Sequence, residues 1–324
     1  MLRHQFALLV ALTLAAGVVL STGARAQTFP ARQVTLVVPY APGGPLDMVA
    51  RTVGQRLSLR LGQPVVVENK AGASGAIGTA FVARAEPDGH TLLISNVGDT
   101  IVEGLGTKLP YRFSKDLAPI TTLGETPFVL IVGANSKFQR LEDLVASGKG
   151  ATNLNYGSPG VGLPTHLAAE IFNAAVGIKA VHVPYNGQST ATAAVVSDVL
   201  SYMFASPVPA MPLITAGRLR ALATTGRQRF SLLPNTPTVA ETAIPGFELT
   251  AWFGLNAPAG TPVAVLQKLN QEVRAVLQMP EVQDRLKSLG VEPKFNSPAE
   301  FASLIQADIQ RWEAIVKSAN IEIK

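Results

Sequence analysis

Val34-Thr-Leu-Val-Val-Pro-Tyr-Ala-Pro-Gly-Gly-Pro-Leu-Asp47 runs from an apolar, β-branched stretch through a glycine-rich loop into a helical pattern. Val65-Val-Val-Glu-Asn-Lys-Ala-Gly-Ala-Ser-Gly-Ala-Ile-Gly78 makes the same step again. Between the two, Val49, Val53, Leu57 and Leu61 recur on one helical face, and Gly62 and Pro64 stop that helix before the next strand. A second helix starting near Ser74 and carrying Ile77 and Phe81 leads through Pro87-Asp-Gly89 into a strand over 91–95. Three strands joined by two helices predict a parallel, doubly wound sheet. A helix start has amides without intrahelical partners, and glycine lets a ligand's oxygens come close to them. Two such loops side by side suit a carboxylate.

Further along, apolar runs at 128–132, 153–156, 180–183, 202–204 and 220–224, with a helix over 164–175, predict a second α/β unit. Its strands end in Gly157-Ser-Pro-Gly160, Pro184-Tyr-Asn-Gly187 and Ala205-Ser-Pro207. Both units therefore carry small, polar loops at strand carboxyl ends, where open α/β sheets bind ligands. Beyond Trp252 the chain turns helical, over 262–279 and 282–289 and in a last helix opened by the capping box Ser297-Pro-Ala-Glu300. Phe301, Leu304, Ile305, Ile309, Trp312, Ile315 and Val316 give that last helix a broad apolar face. Residues 250–324 are too helical for a doubly wound domain of their own and are expected to return and cover the first unit. The expected organisation is a first domain from 27–127 plus 250–324 and a second from 128–249. Linkers near 126–132 and 247–252 would form a hinge.

Residues 1–26 read as a signal peptide: Arg3 and His4 precede an apolar run over 6–20, and Ala24-Arg-Ala26 fits a cleavage site. The run is shorter than the roughly 20 residues a membrane anchor needs, so a periplasmic destination is expected. Cysteine is absent, which excludes disulfides, thiolate metal sites and cysteine nucleophiles. The net charge of +5 falls to +3 without Arg3 and Arg25, and the basic residues stand singly, so no nucleic-acid stripe exists. The remaining histidines, His90, His166 and His182, form no metal-binding pattern, and the serines at 74 and 158 miss the nucleophile-elbow spacing. Neither catalysis nor a cofactor or metal is expected.

For a carboxylate, the candidate donors are the amides of residues 41–44 and 73–75, the hydroxyls of Ser95, Ser158 and Thr165, and the side chains of Asn96 and Asn186. Each has a structural alternative. Gly43 or Gly75 serves a turn as readily as a ligand, Ser95 or Asn96 caps a helix, and Asp47 sits where a helix start favours an acid. His166 has equal claims to the cleft and to packing. Tyr40 and Tyr185 follow prolines at strand ends, where a tyrosine walls a cleft or joins the core.

On Val38-Pro-Tyr-Ala-Pro-Gly-Gly44 with Asp47, Leu61-Gly-Gln-Pro-Val-Val-Val-Glu-Asn69, Gly72-Ala-Ser-Gly75, Pro87-Asp-Gly-His-Thr-Leu-Leu93, Asn155-Tyr-Gly-Ser158, Val183-Pro-Tyr185 and Trp252-Phe-Gly-Leu-Asn-Ala-Pro-Ala-Gly-Thr-Pro262, the chain resembles the Bug family of extracytoplasmic solute receptors, the substrate-binding proteins of tripartite tricarboxylate transporters. The resemblance spans nearly the whole mature length. It implies an α/β, two-domain periplasmic-binding-protein fold of the type II, Venus flytrap kind, each domain a doubly wound, mainly parallel sheet flanked by helices. It also implies a small carboxylate in the interdomain cleft, held by loop amides and bridging water. The implied contacts are Tyr40, Ala41, Gly43, Gly44, Asp47, Ala73, Ser74, Ser95, Asn96, Ser158, Thr165, His166 and Tyr185. Ala205 stands where the family usually has Asp, and its expected effect is to remove a negative charge from the cleft and disfavour solutes with an amino group. The implied partners are integral membrane permease subunits of such a transporter, with a two-component sensor kinase as the alternative, and the expected state is a monomer.

Overall fold

The computed structural model describes residues 29–150 and 154–319, with side chains as far as 315. The expected signal peptide, Asn153 and the Val316 side chain lie outside the described residues. In chain order the first sheet takes β1 (Val34–Val38), α1 (Pro45–Leu61), β2 (Val65–Asn69), a 3-10 turn (Ala73–Gly75), α2 (Ala76–Ala83), β3 (Thr91–Asn96), α3 (Val97–Gly104), α4 (Phe113–Asp116) and β4 (Leu117–Pro127). The chain then builds a second sheet from β5 (Val129–Gly133), α5 (Leu141–Gly148), β6 (Leu154–Ser158), α6 (Pro164–Val176), β7 (Ala180–Pro184), α7 (Gln188–Val196), β8 (Tyr202–Ala205), α8 (Pro207–Thr215) and β9 (Leu219–Thr224). After α9 (Val239–Thr242) it returns as β10 (Thr250–Pro258), α10 (Val263–Leu277), α11 (Pro280–Ser288) and α12 (Pro298–Ala319).

The two five-stranded sheets have matching order, β2-β1-β3-β10-β4 and β7-β6-β8-β5-β9. In each, three strands are parallel and the fourth, β10 or β5, runs antiparallel to both neighbours. Those two antiparallel strands are the ones that enter from the other half of the molecule. The fold is therefore mainly parallel because helices carry every other connection, and parallel strands need such crossovers.

Local sequence explains the helices that frame the first sheet. Val49, Val53, Leu57 and Leu61 of α1 are all buried, and Gly62 ends the helix with its amide on the Ser58 carbonyl at 3.1 Å. Each such side chain contributes about 1.5–3 kcal/mol on burial. α2 departs from expectation: it begins at Ala76, and Ile77 and Phe81 are 56% and 46% exposed. Its inward face is Gly78, Thr79, Ala80 and Val82. Close approach is the reason, because a Cβ at Gly78 would lie 2.8 Å from both the Lys70 carbonyl and the Pro39 Cα. Only a face of small residues fits there, so the large ones turn outward.

The last helix uses its apolar face as the sequence suggests. Phe301, Ile305, Ile309 and Trp312 are buried where α12 packs on α3 and β4, and the Trp312 indole donates to Thr100 at 3.1 Å. α10 covers α1 and β4. The chain passes between the sheets at Phe128 and again at Leu249, and buried Thr225 knits the two passages together. Its hydroxyl accepts from the Phe128 amide (2.8 Å) and donates to the Leu249 carbonyl (2.5 Å), while its own amide and carbonyl bond the Phe128 carbonyl (3.0 Å) and the Leu249 amide (2.9 Å). Replacing Thr225→Val leaves the backbone bonds but strips the buried Phe128 amide of its hydroxyl partner. The expected loss is about 1–3 kcal/mol, read as a lower urea midpoint; an unchanged midpoint would show that the hydroxyl does not hold the passages together.

Candidate functional site

A cleft of about 470 Å³ opens between the two sheets, at the carboxyl ends of β1, β3, β6 and β8. The starts of five helices reach it: Gly44-Pro-Leu46 of α1, Asn96-Val-Gly98 of α3, Leu163-Pro-Thr165 of α6, Gln188 of α7 and Ser206-Pro-Val-Pro209 of α8. Proline occupies the first helical position of α1, α6 and α8, where its missing amide costs nothing and its fixed φ suits the helix. No side chain caps those three starts. The first-turn amides of α1 and α6, and the Val208 amide between Pro207 and Pro209 in α8, sit at the positive end of each helix dipole and are thus left for a ligand or water. Among the described residues, no charged side chain lines the cleft.

The back wall is apolar and comes from the two passages between sheets, through Phe128, Trp252 and Phe253, and from Leu289 and Val291 after α11. The Trp252 indole donates to buried Asp308 at 2.7 Å, and its ring packs edge-on against Phe301, which fixes the wall to α12. On the far side, the Gln188 amide group donates to the Ser206 carbonyl (2.9 Å) and accepts from the Ser206 amide (3.1 Å), joining the loops that open α7 and α8.

Of the residues singled out in the sequence, Tyr40, Gly44, Asn96 and Thr165 line this cleft. Burial, and then the negative charge of Asp99, push the Tyr40 phenol up to about 12, so it stays protonated and donates to the Ser74 carbonyl at 3.3 Å. That bond ties the first loop to the second. Ala41 is exposed in the loop before α1. Ala73 and Ser74 sit at φ 47° and 53°, in the left-handed region, which costs each roughly 1–2 kcal/mol. Ala73 also borders a separate groove with Ile77 and Phe81. Asn96 caps α3, its side chain accepting from Gly98 at 2.7 Å while its own amide donates to Asp99 at 3.0 Å. The Thr165 hydroxyl is buried in the first turn of α6 with no partner among the described residues.

Other singled-out residues are engaged elsewhere, which corrects their expected place. Asp47 is 3% exposed and accepts from the Gly43 amide (2.9 Å), Arg51 (2.9 Å) and Asn69 (2.9 Å). Burial opposes its ionisation, but those three donors outweigh it and hold the carboxyl below its usual range. Asp47 and Gly43 therefore shape the first loop by bonding each other. Ser95 lies on the Leu93 face of β3, where its hydroxyl donates to Asn256 at 2.6 Å inside the sheet. Ser158, on the Tyr156 face of β6, bonds His182 at 2.7 Å beneath α6. The His166 ring accepts from the Gly162 amide (3.0 Å) and stacks on His182 with centroids 3.9 Å apart, so it packs rather than facing the cleft. Tyr185 is half-buried against the core of the second sheet, its amide bonding the Ser158 carbonyl. Ala205 is fully buried in that same core with Met203 and Val129. Strand alternation puts it there, so its side chain removes no charge from the cleft.

Gln188, Ser206, Phe128, Trp252 and Phe253 went unmarked as site residues in the sequence. Phe128 and Trp252 were legible as linker residues, and a linker that crosses between two sheets must border the space they enclose.

Two mainly parallel sheets of matched order, crossed twice by the chain and facing each other over a cleft of helix starts, define a two-lobed periplasmic binding protein. The family described as tripartite tricarboxylate transporter family receptor matches residues 49–321, and the chain belongs to that family. Protein BugT of Bordetella pertussis is 34% identical over 306 residues, covering 92% of this chain and 93% of BugT. An R. palustris protein solved with adipate is 33% identical with a TM-score of 0.75, covering 90% of this chain and 99% of that one. MatC from Rhodopseudomonas palustris with bound malate is 35% identical with a TM-score of 0.71, covering 89% and 100%.

The polar group under α6 generates a pH dependence. Burial, and then the neighbouring His166, depress His182 to about 4 from its ordinary 6.5, with Glu170 pulling the other way. The unfolded chain thus binds more protons between those values, and the stability tied to neutral His182 is present above about 6.5 and lost as pH falls toward 4. Asp99 carries the opposite sign, since burial raises it to about 6. His182→Gln keeps a hydrogen-bonding group for Ser158 and leaves Asp99 untouched. The melting temperature of the wild type is expected to fall more steeply than that of H182Q between pH 6.5 and 4; parallel curves would rule out this source.

Proposed function

We propose that the protein captures a small carboxylate between two lobes, 27–127 with 250–324 and 128–249, and delivers it to the permease of a tripartite tricarboxylate transporter after export across the inner membrane. The observation that carries this reading is the convergence of uncapped helix starts from both sheets on one cleft that no charged side chain among the described residues lines. Amides at helix starts bind anions without a matching buried cation. The adipate and malate held by relatives of the same fold support the ligand class.

On this reading the first-lobe contacts are the amides of Ala41, Gly44, Leu46, Ala73 and Ser74 with the side-chain nitrogen of Asn96. Thr165 and the first turns of α6 and α8 provide the second-lobe contacts. A ligand touching both sets binds the shut form better than the open one, and closure is the resulting population shift. The passages at Phe128 and Leu249 are the hinge.

Two measurements test this together. Calorimetry across a broad panel of carboxylic acids is expected to find saturable binding, with compaction of the liganded protein by small-angle scattering. Thr165→Val removes an unpaired buried hydroxyl, so the free protein is expected to melt at the same or a higher temperature while affinity falls about tenfold. No binding across the panel, or binding without compaction, would overturn the proposal.

A further inference from the structure

Resting on the reading of the cleft as a carboxylate receptor, we infer that the solute's body is a bare hydrocarbon, aromatic or aliphatic, carrying neither ammonium nor hydroxyl groups. The groups those substituents need are already committed. An ammonium requires a carboxylate, and the acids in the adjoining first helical turns face inward: Asp47 holds Gly43, Arg51 and Asn69, and buried Asp99 holds the Asn96 amide and Thr79. Burying a cation without such a partner is prohibitive.

A hydroxyl on the solute needs a hydrogen-bond partner beyond the helix-start amides that hold its carboxylate. Tyr40, Asn96, Thr165, Gln188 and Ser206 stand at or beside the helix starts, where Tyr40 is bonded to the Ser74 carbonyl, Asn96 accepts from Gly98, and Gln188 is bonded to Ser206 in both directions. The Thr165 hydroxyl at the start of α6 is buried without a partner among the described residues, and a carboxylate oxygen satisfies it. A solute hydroxyl laid against the rest of the wall would give up water for nothing, at the cost of an unsatisfied buried polar group.

The apolar surface points the same way. Leu163 and Val208 are 43% and 42% exposed where they face the cleft, opposite Phe128 and Trp252. Closing the lobes over a hydrocarbon takes that surface out of water, and the gain scales with the apolar area covered. A hydroxylated solute returns less of it. Helix starts thus supply the carboxylate grip, and the wall selects what the carboxylate is attached to.

Titration calorimetry of the mature chain with benzoate, adipate, malate, citrate and aspartate decides the question. Benzoate or adipate is expected to bind at least tenfold tighter than malate, citrate or aspartate. Leu163→Ala is expected to weaken that binding about tenfold while leaving the melting temperature of the free protein unchanged, since Leu163 is exposed. Tightest binding of malate, citrate or aspartate, or full affinity in L163A, would overturn this inference and leave the receptor reading intact. No binding of any acid, together with no acid released from the natively purified protein, would overturn both.

Discussion

Three helices begin on the interlobe cleft with proline at their first position and no side chain over the amides that follow. That constraint organises the rest of the molecule. Helix-start amides need a partner, and among the described residues no side chain supplies one, which leaves these amides open toward the cleft. Because the positive field comes from backbone dipoles, no lysine or arginine has to be buried to attract an acid. Among the described residues, no charged side chain lines the cleft, and this is consistent with a field supplied by the backbone.

Presenting those amides in register demands rigid loops, and the charged and strained groups around the cleft are spent on this. Asp47 braces the first loop through Gly43, Arg51 and Asn69. The second loop carries two non-glycine residues in the left-handed region, and the Tyr40 hydroxyl on the Ser74 carbonyl holds it against the first. Strained residues of this kind persist where surroundings over-determine them, and they concentrate at ligand clamps. The chain crosses between the two sheets at the passages knitted by Thr225. The Trp252 to Asp308 bond meanwhile keeps the cleft's back wall attached to α12.

Much of this was legible in the sequence because it is periodic. The helical spacing of Val49, Val53, Leu57 and Leu61 gave the face that α1 buries, and Phe301, Ile305, Ile309 and Trp312 did the same for α12. The strand-loop-helix steps likewise announced loops at strand carboxyl ends. Ile77 and Phe81 misled for an identifiable reason: their spacing describes a face, and the close approach at Gly78 determines which face turns inward. Ser95, Ser158, His166 and Ala205 misled because each stands beside a loop in sequence while its side chain points to a neighbour from a distant strand or to its own loop.

The sequence by itself determined the βαβ order, the helix faces and the positions of the glycine- and proline-marked loops, since all of these follow from local periodicity and backbone preference. Only the tertiary structure decided which polar groups are free. A hydroxyl such as that of Ser95 is claimed by Asn256, 161 residues away, whereas that of Thr165 is claimed by nothing among the described residues. Hydrogen-bond competition is settled among neighbours across a sheet, and strand parity with that partner, which no local stretch encodes, fixes which side chains the cleft receives.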